Sequence, residues 1–572
     1  MKNSGTDIIN SPLIKVLKGI SRCIDSILNF IENISNKSPE ISVLIIYFIG
    51  RIIVGAFHEP WYDEAVAWQI AKSAPLQDIL FEIPHYEGHP PLWHLILLPF
   101  AKLGMPYEFS LKLISLIFSG SAVCLLVLKS PFPRIIRLLL PFTYFLFYQF
   151  GVISRSYCVM TLLFFVLAIV YKERNCKPWK YTIVLALLCF ISAYGILISA
   201  GLAIAWIFEI WNKRNVFSFF KDFIKDKRLY WLLVLLIIAL SIIALIFPRN
   251  NTLAASGGVI SVKNQSSFLS VFLYMFLGLF SDLFFTNIYY GYTTINSFAF
   301  NDFSLLCGCF LGCVLWVGAY LFVKEKGTFV VFLVPQVLFS LFGLLVYLSP
   351  HHTGISLLLI LFWLWITIEK EEVKKEVKTF EKYSVLLSSS AKILCCVSLV
   401  ITLFWNISSS VYDLGNVYAV GRNEARFIRE NNLDEYNIMA VWSVSENNET
   451  NQVYMDTNNN IIADNVAAYF PRNIFFNFNS GRDDMSYSTH RVATEFENKR
   501  NIAEWRKIRP DVLYMRVPLE YVYESDDLNI NDFSLVYENK AGKVWKGLIE
   551  PRYSEIYVRN DLIDELGLKI VE

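Results

Sequence analysis

ISVLIIYFIGRIIVGAF, residues 41–57, is an apolar stretch that decides the class of this chain. A helix of about 20 apolar residues is needed to cross a bilayer. Across the whole chain 55% of the residues are hydrophobic and the mean hydropathy is +0.44, values rare among soluble proteins. The sequence therefore predicts a polytopic α-helical membrane protein. Further apolar stretches follow at 90–104, 109–128, 135–152, 156–171, 181–211, 229–248, 267–286, 303–323, 328–348, 353–368 and 391–411. The stretch 181–211 is long enough for two helices with a tight turn at Tyr194-Gly195.

Lysines and arginines orient these stretches, because the cytoplasmic loops of membrane proteins are enriched in both. We expect every basic run to lie on the cytoplasmic side. Residues 1–40 have amphipathic spacing and are expected to form a segment that lies on that face of the membrane. The basic runs are the N-terminal segment, 129–137, 172–180, 213–228, 324–326 and 370–392.

The number of membrane crossings between loops of expected side determines how far the first outer loop extends. Residues 58–89 are expected outside and 129–137 inside, so an odd number of crossings must separate them. Two apolar stretches intervene, and 90–104 is the shorter one, with Pro90-Pro91 at its start. We therefore predict that 90–104 does not cross the membrane and that 58–108 forms one long outer loop.

The same argument makes 249–302 a second outer excursion, which dips into the membrane near 267–286. The predicted fold is then a membrane domain, 41–411, with about 11 spans, or about 13 if the dipping segments cross as pairs. Residues 412–572 follow the last span and are therefore expected on the extracytoplasmic side. They are polar, and runs at 437–442, 511–515 and 543–545 indicate strands, whereas 420–431 and 493–508 indicate helices, which together predict a small soluble α/β domain.

The first outer loop carries the richest set of ionisable side chains. Asp63 and Glu64 follow Pro60-Trp61-Tyr62 and open a predicted helix at 64–73. A carboxylate at a helix N-terminus is stabilised by the free N–H groups there, so the pair is equally compatible with a helix cap. Its neighbours make a functional site an equal alternative, since histidines and aromatic side chains are interleaved through the loop. The other ionisable residues are His58, Glu59, Asp78, Glu82, His85, Glu87, His89 and His94.

A metal site is an alternative use of these residues. Asp63, Glu64, His85 and His89 are suitable ligand types for a divalent cation. The two histidines are four positions apart but span Gly88, so the stretch is not expected to be helical. We therefore assign none of these residues as a metal ligand. Binding of a divalent cation is kept as an alternative.

Outward-facing cations form a second group of candidates. Arg155, in Ser154-Arg155-Ser156-Tyr157, follows a stretch expected to end outside, and so does the His351-His352 pair after Pro350. A guanidinium binds phosphate oxygens bidentately, which makes Arg155 a natural phosphate clamp. Arg249, just beyond 229–248, is a further outer cation or an ordinary helix end.

Three stretches resemble membrane glycosyltransferases of the GT-C class. They are Trp61-Tyr62-Asp63-Glu64-Ala65, then 86–93 with the text YEGHPPLW, and 152–157 with the text VISRSY. The pattern is similar to that of the protein O-mannosyltransferases, the lipid A aminoarabinose transferases and bacterial members of the same superfamily. It covers roughly residues 40–370, whereas the C-terminal domain resembles these enzymes only in position.

The resemblance implies inverting transfer of a sugar from a polyprenyl-phosphate donor to a glycan, lipid or protein acceptor on the outer face of a bacterial cytoplasmic membrane. Asp63 would be the general base, and Glu64 would orient the acceptor or the base. The mannosyltransferases carry a lysine at the place of His94, and related chains often carry Arg-His where His351-His352 stands. The implied donor phosphate and lipid ligands are Arg155, His94, Tyr157, His351, His352 and Arg249. The implied acceptor or sugar ligands are Glu87, His89, Trp61 and Tyr62.

Two other functions fit a polytopic chain with these residues. A transporter or flippase of lipid-linked glycans would use ionisable groups as an ion pathway, although such groups are expected in mid-span and in paired halves. A polymerase or ligase of surface glycans would differ mainly in its acceptor. The net charge of +1 gives no support to a nucleic-acid partner, whereas membrane lipids are expected around the spans.

Overall fold

The computed structural model describes most of the chain. Most of the expected amphipathic segment at 1–40 and most of the expected helix at 493–508 lie outside the described residues. Single residues or pairs are described at 19, 22, 26, 489, 491, 500 and 503–504. The longer described ranges are 39–211, 226–252, 267–293, 297–300, 302–323, 327–370, 381–441, 444–447, 452–455, 461–477, 507–515 and 529–571.

Helices dominate up to residue 415, as the apolar stretches predict. Two π-helices, Tyr144–Val152 and Tyr274–Gly278, and two 3₁₀ turns, Leu140–Phe142 and Pro350–His352, interrupt the α-helices. The α-helices are α1 (Pro39–Phe57), α2 (Tyr62–Ser73), α3 (Leu76–Phe81), α4 (Ile83–Glu87), α5 (Leu92–Lys102), α6 (Tyr107–Lys129), α7 (Arg134–Leu139), α8 (Tyr157–Tyr171), α9 (Pro178–Ile191), α10 (Ala193–Trp211), α11 (Lys227–Ile246), α12 (Phe268–Leu273), α13 (Leu279–Asp282), α14 (Asp302–Val323), α15 (Phe329–Leu345), α16 (Gly354–Glu369) and α17 (Glu381–Gly415).

Seven helices are long and apolar enough to cross a membrane, or eight if the bent pair Arg134–Phe142 and Tyr144–Val152 is one span, among the residues that the structure describes. Shorter apolar helices account for other predicted stretches, so the count of 11 to 13 spans stays a prediction. Helix α5 has 11 residues, and at about 1.5 Å of rise per residue it is too short to cross. That length agrees with the prediction that 90–104 does not span.

A break between two helices and one close helix–helix contact shape the centre of the helical domain. The stretch 181–211 is divided at Ser192 into α9 and α10, near the predicted break at Tyr194-Gly195. Helix α10 then packs against α15, where a Cβ on Gly201 would lie 2.5 Å from the Cα of Pro335. Glycine is therefore required at this position, since any side chain would push the two backbones apart.

The C-terminal region is a small α/β domain, as predicted. Its main sheet has the order β3-β6-β8-β7, in which β3 and β6 are parallel and the remaining pairs are antiparallel. A separate pair, β1 and β2, lies in the 249–302 region. The strands are β1 (Tyr289–Thr293), β2 (Ser297–Phe300), β3 (Ile438–Val441), β4 (Val444–Asn447), β5 (Gln452–Met455), β6 (Val512–Met515), β7 (Phe533–Trp545) and β8 (Leu548–Arg559), and the helices are α18 (Gly421–Glu430), α19 (Ile461–Ala467) and α20 (Asn560–Leu566).

The hairpin formed by β7 and β8 reaches into the helical domain. Its two-residue turn is Lys546-Gly547, with φ of 49° and 81°, and two-residue hairpin turns require such positive φ values. Trp545 packs edge-on against Tyr144, at 5.7 Å between ring centroids. Lys546 is buried and its Nζ lies 3.1 Å from Asp282 Oδ2. The two parts of the chain therefore share one core at this hairpin.

Ion pairs and backbone contacts fix the same two parts further out. Glu59 accepts hydrogen bonds from the backbone N–H groups of Tyr418 and Ala419, at 2.8 and 3.2 Å. Arg422 binds Glu108 through two nitrogens, at 2.8 and 2.6 Å. A bidentate pair of this kind sets direction as well as distance. The C-terminal domain is therefore held in a defined position over the first outer loop.

Candidate functional site

Asp63 and Arg155, the predicted base and the predicted phosphate clamp, are in direct contact. Asp63 lies in the first turn of α2, and Arg155 lies in the short connection between the second half of the bent pair and α8. The carboxylate and the guanidinium form an ion pair, and their side chains are only 16% and 14% exposed. Burial opposes the charge on Arg155, but Asp63 outweighs this effect and raises the pKa of the guanidinium above its ordinary value.

Aromatic rings and a histidine surround Arg155. Its Nη1 lies 2.9 Å from Nε2 of His351, and its guanidinium carbon lies 5.8 Å from the ring centroid of Trp61 and 5.3 Å from that of Tyr157. Cation–π contacts of this kind strengthen when water is excluded. The structure thus brings four of the other residues predicted from the sequence, Asp63 among them, around one half-buried guanidinium.

Glu64 is a buried structural neighbour of this cluster. Its Oε2 accepts a hydrogen bond from the N–H of Trp61 at 3.1 Å, which caps the start of α2. Its Oε1 accepts one from the N–H of Ser154 at 2.6 Å. Ser154 immediately precedes Arg155, so Glu64 fixes the backbone on both sides of the Asp63–Arg155 pair. The two carboxylates of the acidic pair therefore differ in their surroundings: Glu64 caps the helix, and Asp63 faces the cation.

Behind Glu64 lies a buried network that the sequence did not indicate. His58 Nδ1 lies 2.9 Å from Asp413 Oδ2, which also accepts a hydrogen bond from the hydroxyl of Tyr148 at 2.9 Å. His58 Nε2 lies 3.5 Å from Glu64. Burial disfavours the imidazolium, but Asp413 and Glu64 outweigh it and raise the pKa of His58 to about 9. A charged His58 therefore joins the last long helix to the first outer loop.

The histidines of the Gly-His-Pro-Pro stretch form a neutral flank. Burial and then the nearby Arg155 cation lower the pKa of His89 to about 4, so its imidazole is neutral at pH 7. His94 is buried on α5, and Glu87 is the charged neighbour that acts on both histidines. His89 is thus close enough to Arg155 and Asp63 to feel both charges.

Two other predicted ligands have different surroundings. His352 is buried, and its Nδ1 accepts a hydrogen bond from the N–H of Ser349 at 2.9 Å, so it shapes the turn that presents His351. Arg249 pairs with Glu82 at 2.9 Å and lies 5.8 Å from the ring of Tyr86. These contacts attach the end of α11 to the first outer loop, and a part for Arg249 in phosphate binding stays a prediction.

The C-terminal domain adds cations that the sequence did not connect with the site. Lys543, on β7, places its Nζ 3.6 Å from the ring centroid of Trp61, and the guanidinium carbon of Arg552, on β8, lies 5.9 Å from the same ring. Burial, opposed by Glu550, lowers the pKa of Lys543 to about 8. No spacing in the sequence indicates this contact, because the strand is folded back onto the outer loop by the whole domain.

The ligand types that suggested a metal are not gathered into a metal-binding group. Within the described part of the chain, no set of three or more His, Cys, Asp or Glu side chains is placed to hold an ion. Asp63 instead faces Arg155, and His85 Nδ1 lies 2.7 Å from the carbonyl oxygen of Phe247. Two of the four residues considered as ligands therefore have other partners.

Comparisons with protein-family models, with curated proteins and with solved structures found no match.

Proposed function

We propose that this chain is an inverting glycosyltransferase that moves a sugar from a polyprenyl-phosphate donor to an acceptor on the extracytoplasmic face of a bacterial cytoplasmic membrane. The observation that carries the proposal is the contact of Asp63 with Arg155. It joins a proton acceptor to a phosphate-binding cation at the edge of a domain built from apolar helices. A lipid-linked donor arrives through the bilayer, so its phosphate would approach this site from the membrane.

Donor binding exchanges one anion for another at Arg155. The phosphate diester of the donor would bind the guanidinium in place of Asp63, since charge-assisted bonds to Arg are strong and bidentate for phosphate. The carboxylate of Asp63 is then released beside the bound sugar. The resting ion pair thus holds the base and the clamp at the correct separation before any substrate arrives.

Transfer then follows with balanced charges. The acceptor oxygen attacks the anomeric carbon, the bond from that carbon to the phosphate oxygen breaks, and the acceptor proton moves to Asp63. Breaking that bond changes a phosphate diester with one negative charge into a monoester with two. Arg155 therefore binds the departing polyprenyl phosphate more strongly than the donor, which lowers the barrier.

Aromatic and neutral imidazole groups complete the proposed site. Tyr157 and Trp61 border Arg155, and His351 contacts its Nη1. A neutral His89 can donate a hydrogen bond to a sugar hydroxyl or accept one from it. Because it carries no charge, it does not compete with Arg155 for the phosphate. Glu64 acts through the backbone at Trp61 and Ser154 and is therefore a positioning residue in this scheme.

The test is the release of polyprenyl phosphate, a product common to every sugar. Purified protein in lipid nanodiscs is incubated with polyprenyl-phosphate hexoses and pentoses as donors and with envelope glycans as acceptors. Mass spectrometry then measures the polyprenyl phosphate that is released. Asp63→Asn is expected to slow release by about 10²- to 10⁴-fold, the usual contribution of a general base. The matched control is Asp434→Asn, which also removes a carboxylate from an Asp–Arg pair, with Arg472 at 3.6 Å.

An unchanged rate in Asp63→Asn, with the protein still monodisperse, would contradict the assignment of the base. The transporter alternative is tested in vesicles made of the same lipids as the nanodiscs. Movement of labelled lipid from one leaflet to the other, without any release of polyprenyl phosphate, would favour that alternative. The two outcomes are separate, because the first concerns one residue and the second concerns the reaction.

A further inference from the structure

A small pocket lies at the junction of the first outer loop and the C-terminal domain. We call it the junction pocket, and it is lined by Trp61 and Tyr62 of the loop and by Tyr418, Asn465, Lys543 and Arg552 of the C-terminal region. Arg155 does not line it, although both places share Trp61. The pocket therefore adjoins the proposed donor phosphate site and is lined by residues from both parts of the chain.

Lys543 is the cation of this pocket that is available to a ligand. Its cross-strand partner Glu550 is bound to Arg552, at 3.0 Å, and within the described residues no carboxylate oxygen lies within 4.0 Å of Lys543 Nζ. The ammonium instead lies over the ring of Trp61, at 3.6 Å from the centroid. A half-buried ammonium that faces a ring and no anion is prepared to accept an oxyanion.

The position of the junction pocket indicates which of the two proposed substrates, donor or acceptor, would bind there. The proposed donor phosphate site is built on elements of the helical domain, at Arg155 and His351. The junction pocket is lined in part by strands of the C-terminal domain, and Asp63 is close enough to Lys543 to act on its charge. Since the proposed donor phosphate is held at Arg155, a group held by Lys543 would belong to the other substrate, the acceptor.

We propose that the junction pocket binds the carboxylate or phosphate of an acidic acceptor, with Lys543 as the direct partner of the oxyanion and Trp61 as the platform beneath it. This inference rests on the proposed function, because it names the class of acceptor for the same site. The C-terminal domain is then part of substrate recognition, since one of its strands supplies the cation.

Binding of small acidic sugars tests the inference without requiring transfer. The full chain in nanodiscs is titrated with glucose 6-phosphate, with glucuronate and with glucose, and saturation-transfer NMR gives the affinities. Both charged sugars are expected to bind more tightly than glucose, and the tighter one identifies phosphate or carboxylate as the natural group. Lys543→Gln is expected to lower the affinity for the two charged sugars by at least about tenfold, the loss expected for one charge-assisted hydrogen bond. The affinity for glucose is expected to stay unchanged.

Two matched variants keep the result interpretable. Lys540→Gln removes an exposed lysine from the same strand, one that pairs with Glu538 at 3.0 Å, and it is expected to bind all three sugars like the wild type. Lys543→Arg keeps the charge and is expected to retain most of the affinity, which separates lost recognition from lost folding.

Equal affinity of glucose and the charged sugars would overturn the inference. So would loss of glucose 6-phosphate binding in Arg155→Ala but not in Lys543→Gln, because the probe would then occupy the donor site. Binding that depends on Lys543 in a protein that releases no polyprenyl phosphate would support the pocket while contradicting the proposed reaction, so the two failures are distinguishable.

Discussion

Lys546 at the tip of the β7–β8 hairpin allows a quantitative prediction about how the two parts of the chain are joined. Its Nζ donates to the carbonyl oxygens of Asp282 and Thr286, at 2.5 and 3.2 Å, and lies 3.1 Å from Asp282 Oδ2. Both side chains of the ion pair are 0% exposed. Lys546→Ala therefore leaves a buried carboxylate with no compensating cation, which costs about 3–5 kcal/mol.

The affected equilibrium is the seating of the hairpin in the helical domain. Since about 1.4 kcal/mol corresponds to a factor of ten, the undocked population is expected to rise by roughly two to four orders of magnitude. Hydrogen–deuterium exchange of β7 and β8 in nanodiscs measures this opening directly. The exposed Lys540→Ala, on the same strand, is the control and is expected to leave the exchange rates unchanged.

A double variant separates the pair from the shape of the hairpin. Lys546→Met combined with Asp282→Asn removes both charges, and replacing a whole buried pair is often close to neutral. The exchange rates of the double variant are therefore expected to return most of the way to those of the wild type. Exchange in Lys546→Ala that matches the wild type would refute the reasoning, because the pair would then contribute nothing to docking.

Two further predictions concern Arg155 and the C-terminal domain. Arg155→Ala is expected to weaken binding of the polyprenyl-phosphate donor, measured by retention on nanodiscs, more than binding of the acceptor, and equal effects on both would contradict its role with phosphate. Burial raises the pKa of Glu424 from 4.5 to about 8, against the hydrogen bonds from Ser554 and Asn539. The folded state thus holds this proton more tightly, so the contribution of Glu424 to stability is complete below pH 4.5 and is lost as the pH rises to about 8. Melting temperatures between pH 5 and 9 should fall less steeply in Glu424→Gln than in the wild type.

Local features of the fold follow from the sequence because they are encoded within a few residues. The short helix after Pro60-Trp61-Tyr62, the division of 181–211 and the short helix at 90–104 were each predicted and are each present. Apolar length and backbone hydrogen bonding decide such elements, and neither depends on distant parts of the chain. Placing Arg155 on the side of Asp63 required only the count of crossings and the distribution of basic residues.

Contacts between distant residues were decided by tertiary structure alone. Asp413 lies 355 residues from His58, and Lys543 meets Trp61 only because its hairpin is seated in the helical domain. Spacing in the sequence carries no record of such pairs, since the direction of each charged side chain depends on how whole elements pack.

The acidic pair in the first outer loop shows the same division between sequence and structure. The sequence placed both carboxylates at the start of a helix and left a cap and a functional site as alternatives. Packing separated them, because Glu64 is buried between two backbone N–H groups and Asp63 is turned toward the guanidinium of Arg155. Neighbouring residues on a helix point about 100° apart, so the surroundings of each face, and not the identity of the residues, decided which carboxylate meets the guanidinium.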